Sequence, residues 1–139
     1  MTLRILLVED NLADSTLILE CFEQEKIFVD VELARDGEQA MRYLNDHVTK
    51  GRPDLVLLDL NLPRKDGREV LSEIKSDPRL QSIPVVILTT SESEEDILRS
   101  YRSQASCYVT KPIDLDQFNK IVKSIDEFWF SAVKYPPKS

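Results

Sequence analysis

Apolar residues follow two alternating rhythms along this chain. Short unbroken runs, Ile5-Leu6-Leu7-Val8, Leu55-Val56-Leu57-Leu58 and Val85-Val86-Ile87-Leu88, are separated by segments in which apolar residues return every three or four positions. An unbroken run fits a strand buried on both faces, and the wider spacing fits one stripe of a helix. Val29 to Ala34 alternates in polarity, as a less buried strand does, and Cys107 to Thr110 makes a short fifth strand. Ala13, Leu17, Ile18, Cys21 and Phe22 form the first helical stripe. Ala40, Met41 and Leu44 form the second, in a helix capped by Asp36 and ending at about Asn45. Val70, Leu71 and Ile74 form the third, stopped at Asp77-Pro78. Ser93-Glu94-Glu95-Asp96 places acids at the positive start of another helix, and Asp114 caps a last one from Leu115 to about Phe130. Strict strand–helix alternation predicts an α/β fold, a five-stranded doubly wound parallel sheet with helices on both faces.

A length of 139 residues predicts one domain over 1–130, with 131–139 a tail and no separate output domain. The net charge of −7 predicts no binding to nucleic acid or to anionic membranes. No apolar run reaches spanning length, which predicts a soluble cytoplasmic protein. Cys21 and Cys107 form no CxxC and sit among apolar neighbours, as buried free thiols would.

The chemistry gathers where strands stop. Glu9 and Asp10 follow the first strand, and Asp59 closes the third. Ligands of parallel sheets bind beyond the carboxyl ends of strands, at the switch point of strand order. If the order is 2-1-3-4-5, the first and third strands are neighbours and the three carboxylates converge. Two like charges about 4 Å apart repel by roughly 4 kcal/mol at an effective dielectric of about 20, so a proton or a cation must relieve them. With only oxygen ligands on offer, Mg²⁺ fits better than zinc. Thr89 and Thr90 end the fourth strand, and Lys111 ends the fifth. A hydroxyl and an ammonium on an acidic rim suit an arriving phosphoryl group. Taken singly, each of these residues also reads as a solvated strand end.

Only three glycines exist, Gly37, Gly51 and Gly67, and none builds a GxGxxG or P-loop cradle. Asp59-Leu60-Asn61-Leu62-Pro63 also lacks the second Asp of an aspartyl-phosphate hydrolase motif.

The ordered set Glu9-Asp10, Asp59 in LVLLDLNLP, Thr89 in VVILTT and Lys111-Pro112 in CYVTKP resembles the response regulator receiver domain, a CheY-like fold, from about Leu3 to Phe130. The resemblance implies that Asp59 accepts a phosphoryl group from a sensor histidine kinase in a two-component phosphorelay. It implies a metal set of Glu9, Asp10, Asp59 and the Asn61 carbonyl, holding Mg²⁺, with Mn²⁺ or Ca²⁺ able to substitute. It makes Thr89 the switch hydroxyl, Tyr108 the aromatic that follows it and Lys111 the phosphate-binding lysine, with a cis Lys111–Pro112 bond. Asn61 and Ser91 match positions that tune dephosphorylation. On this reading the chain is no enzyme beyond self-directed phosphoryl transfer and slow self-dephosphorylation.

The segments RDGEQAMRYL, SESEEDI, CYVTKP and FWFSAVKYPP resemble stand-alone regulators paired with cyanobacterial phytochromes, which implies a phytochrome as the kinase. The chain departs from the family at Gln104 or a neighbour, where a glycine is usual, and in a longer Asn45–Gly51 segment that contains His47. The last helix carries Leu115, Phe118, Val122, Ile125, Trp129 and Ala132 at 3-4-3-4-3 spacing. That seam predicts a homodimer through Phe118, Val122, Ile125 and Trp129.

Overall fold

The apolar runs become strands of one parallel sheet. A computed structural model describes residues 3–90 and 107–134, apart from the side chains of Thr89 and of residues 126–134. The strands are β1 (Leu3–Val8), β2 (Val29–Ala34), β3 (Leu55–Asp59), β4 (Val85–Thr89) and β5 (Cys107–Thr110). The described helices are α1 (Leu12–Gln24), α2 (Gly37–Asp46), α3 (Gly67–Ser76) and α4 (Leu115–Lys134). The order is β2-β1-β3-β4-β5, with every neighbouring pair parallel, as expected for the doubly wound fold.

Alternation along the strands feeds two cores. Leu6, Val8, Val56, Leu58, Val85 and Ile87 face Ala40, Met41 and Leu44 of α2 and Val70, Leu71 and Ile74 of α3. Ile5, Leu7, Leu57, Val86, Leu88 and Val109 face Ile18 and Phe22 of α1 and Phe118, Ile121 and Ile125 of α4. Phe22 and Phe118 meet edge to face at 5.2 Å between centroids, a geometry worth about 0.5–1.5 kcal/mol beyond area burial. Strand β2 lies on the sheet edge, which explains its alternating polarity.

The helix starts follow local chemistry. Asn11, Asp36, Asp66 and Asp114 each accept a backbone N–H of their own first turn, from Asp14, Gln39, Arg68 and Gln117 respectively. The last helix runs past the expected end near Phe130, to Lys134. Its expected seam is consumed inside the chain at two positions, while Leu115 stays exposed. Phe118 and Ile125 are buried, Val122 is half-buried, and the Trp129 side chain lies outside the described residues. The helix expected from Ser93, together with Ser91, Gln104 and residues 135–139, also lies outside them.

Cys21 and Cys107 are free but half-buried, at the margin of the second core rather than within it. His47 stacks on Tyr43 at 4.0 Å, with Nδ1 2.8 Å from the Tyr43 carbonyl oxygen. Among the described residues, no helix is long and apolar enough to cross a membrane.

Candidate functional site at the strand ends

Register brings the chemistry together. Val8 is level with Leu58 across β1 and β3, so the next residues, Glu9 and Asp59, come level as well. The Glu9 N–H donates to the Ala34 carbonyl, and the Leu60 N–H to the Leu88 carbonyl, so sheet-like bonding continues just past both strands. Both acids are buried. Each is held in the same way. The Asn11 N–H donates to Glu9 Oε2 and the Asn61 N–H to Asp59 Oδ1, both at 3.0 Å. The remaining oxygens face Lys111, whose Nζ lies 2.7 Å from Glu9 Oε1 and 3.2 Å from Asp59 Oδ2.

The third partner of that ammonium is Asp14 Oδ2, at 3.0 Å. Sequence reading misses Asp14. The available signal was an acid three residues beyond the Asn11 cap, in the helix that opens at the strand ends.

Charge explains the titration. Burial lifts the Glu9 carboxyl, contact with Lys111 pulls it back, and the hydrogen bond and charge of Asp59 lift it again, leaving it at about 7. Burial alone would lower the Lys111 ammonium. Its close contacts with Glu9 and Asp14 and the charges of Asp59 and Glu9 outweigh that and raise it.

One expected convergence is incomplete. Asp10 is exposed, because successive side chains of an extended segment point to opposite sides and Glu9 takes the inner one. Among the described residues, no three His, Cys, Asp or Glu side chains are gathered as a metal set. The donor chemistry nonetheless suits a hard cation. Glu9, Asp10 and Asp59 supply only oxygen, and the buried Glu9 Oε1 has no hydrogen-bond partner among the described residues. Its contact with Lys111 is an ion pair without hydrogen-bond alignment.

Asn61 Nδ2 donates to Thr90 Oγ1 at 3.3 Å, closing the rim between β3 and β4. Thr89 ends β4 beside Thr110, and its hydroxyl lies outside the described side chains. Tyr108 is partly exposed on β5, and the Lys111–Pro112 peptide is cis, as the resemblance implied. Gly67 opens α3 against the loop after Asp59. A Cβ there would collide with the Asp59 carbonyl oxygen and the Leu60 Cα.

Known proteins share this fold. A family model described as the response regulator receiver domain matches residues 5–123. Response regulator Rcp1 of Synechocystis is 47% identical over 135 residues, covering 95% of this chain and 92% of that protein. The crystal structure of its Mn²⁺-bound form superposes with a TM-score of 0.74 at 48% identity, over 91% of this chain and 93% of that one. The phosphorylated cyanobacterial phytochrome response regulator RcpA superposes with a TM-score of 0.77 at 52% identity, over 94% and 96% of the two chains. A probable methanogenesis regulatory protein, FilR2 of Methanothrix harundinacea, is 45% identical over 134 residues, covering 95% of this chain and 86% of that protein.

Proposed function

The chain belongs to the response regulator receiver family, and from that premise we propose that it is a switch thrown by phosphorylation of Asp59. The observation that carries this reading is the pairing of two buried acids with one ammonium at the strand ends. One oxygen of Asp59 accepts a backbone N–H, and the other accepts from the Lys111 ammonium. Such a carboxylate can attack phosphorus in line. The Asp59 O–P bond forms as the P–N bond to a kinase phosphohistidine breaks, and the departing imidazole carries off the bonding pair. Catalysis of this kind is positioning and charge balance.

Glu9, Asp10, Asp59 and the main-chain carbonyl of Asn61 would hold a divalent cation, Mg²⁺ on this reading, with Mn²⁺ or Ca²⁺ as substitutes. The cation supplies positive charge to the oxygens of the transferring group. Asp10 then has to turn inward from its exposed position. Lys111 follows the phosphoryl oxygens, and the Thr89 hydroxyl donates to another of them. Tyr108, partly exposed on β5, moves into the space that Thr89 leaves, and the surface around β5 and α4 changes. That self-directed transfer and a slow self-dephosphorylation are the only chemistry we assign.

The donor is a sensor histidine kinase. Similarity to RcpA supports a phytochrome in that place, although FilR2 is almost as similar as Rcp1, so the fold itself does not select the input. We place the switch in the cytoplasm and its output in protein contacts, including a homodimer through the exposed side of α4.

The test is mass measurement after incubation with Mg²⁺ and acetyl phosphate. One phosphate should be gained, and Asp59→Asn should abolish the gain. A parent chain that gains none would mark an adaptor that is never phosphorylated, and sustained donor turnover would mark a hydrolase.

A further inference from the structure

The Lys111 ammonium has three N–H donors and three carboxylate oxygens around it, on Glu9, Asp14 and Asp59. A phosphoryl group on Asp59 would turn the oxygen that meets Lys111 into an ester oxygen and offer charged oxygens in its place. The ammonium has to follow them, away from carboxylates that stay where they are. Glu9 is enclosed, its side chain 0% exposed, and the divalent cation of the proposed function would balance its charge there. The Asp14 side chain is 25% exposed. It also stands in the first turn of α1, where the helix's positive end stabilises a carboxylate that has lost its partner. Asp14 is therefore the contact that gives way.

We infer that Asp14 is a positioning residue for Lys111, an anion outside the reaction that competes with the phosphoryl group for the same ammonium. In the resting state it draws Lys111 toward the mouth of the site. On phosphorylation the ammonium leaves it, and Asp14 is rehydrated. The tether sets how readily the switch closes. This inference rests on the reading of Asp59 as phosphoacceptor.

Beryllofluoride, a mimic of the phosphoryl group, tests it. Calorimetry in saturating Mg²⁺ would compare the parent chain with Asp14→Asn, Glu20→Gln, Lys111→Met and the Asp14→Asn/Lys111→Met double variant. Asp14→Asn should tighten binding by about two- to fivefold, the range that a partly exposed ion pair can supply. Glu20→Gln removes the same charge from the same helix, six positions further on, and should leave affinity unchanged. In the Lys111→Met background the Asp14 effect should vanish, because Asp14 acts only through Lys111. Tightening by Glu20→Gln to the same degree, or an Asp14 effect that survives without Lys111, would replace positioning with the general field of the helix. No change in a folded Asp14→Asn variant would reduce Asp14 to an ordinary helix-start acid. Should Lys111→Met fail to fold, the comparison with Glu20→Gln decides alone. A parent chain that does not bind beryllofluoride overturns the reading of Asp59, and this inference with it.

Discussion

Single side chains at the strand ends are held by opposing costs. Glu9 is buried beside Asp59, and its carboxyl is lifted to about 7. A folded value above the unfolded one means the native state holds the extra proton. The associated stability is complete below about pH 4.5 and is lost as pH rises through about 7. Metal-free protein should therefore unfold more readily at pH 8 than at pH 5, with this group contributing on the order of 3 kcal/mol. Urea midpoints across that window would measure the slope. Carboxyl NMR should place the Glu9 midpoint near 7, and Asp59→Asn should lower it by removing the neighbouring charge. A midpoint unchanged in Asp59→Asn would sink this account of the coupling.

At the scale of elements, the loop after β3 is shaped by the helix that follows it. Gly67 begins α3 with its Cα against the Asp59 carbonyl and the Leu60 backbone, and its N–H donates to the Leu60 carbonyl at 3.1 Å. The obstacle is backbone on both sides, so no side-chain rotation can relieve an added methyl. Gly67→Ala should cost about 1–3 kcal/mol of stability, the usual range for overpacking. Because the displaced atoms belong to Asp59 and its neighbour, phosphorylation by acetyl phosphate should slow as well. Equal rates for the two proteins at matched folded fraction would show that the loop tolerates the shift.

For the molecule as a whole, the question is which side of α4 serves the chain and which serves a partner. Ile125 is buried in the second core, whereas Val122 is only half-buried at its edge. Ile125→Ala should cost about 2–5 kcal/mol without a direct effect on association. Val122→Glu should do the reverse, weakening the dimer with little loss of stability. Sedimentation at high micromolar concentration and urea titration of both variants would separate the two effects. A parent chain that sediments as a monomer would remove the dimer from the proposal, while leaving the Asp59 switch intact.

The sequence by itself determined much of this protein. Unbroken apolar runs, short and bounded by acids or proline, fit strands covered on both faces, so β1, β3 and β4 were legible, as was the alternation that places β2 at an edge. Glu9, Asp59 and Lys111 were legible because each stands where a strand stops. Local chemistry could also announce the Asp36 and Asp114 caps. Spacing could not say which residues of a wide helical stripe face inward once a neighbouring helix is in place. Phe118 and Ile125 therefore read as partner surface, although α1 and the sheet claim them. Nor could it say that Asp10 points outward while Glu9 points in, or that Asp14 reaches across to Lys111. Those outcomes depend on side-chain direction and on distances between elements far apart in the chain, and these exist only once the sheet has brought its strand ends together.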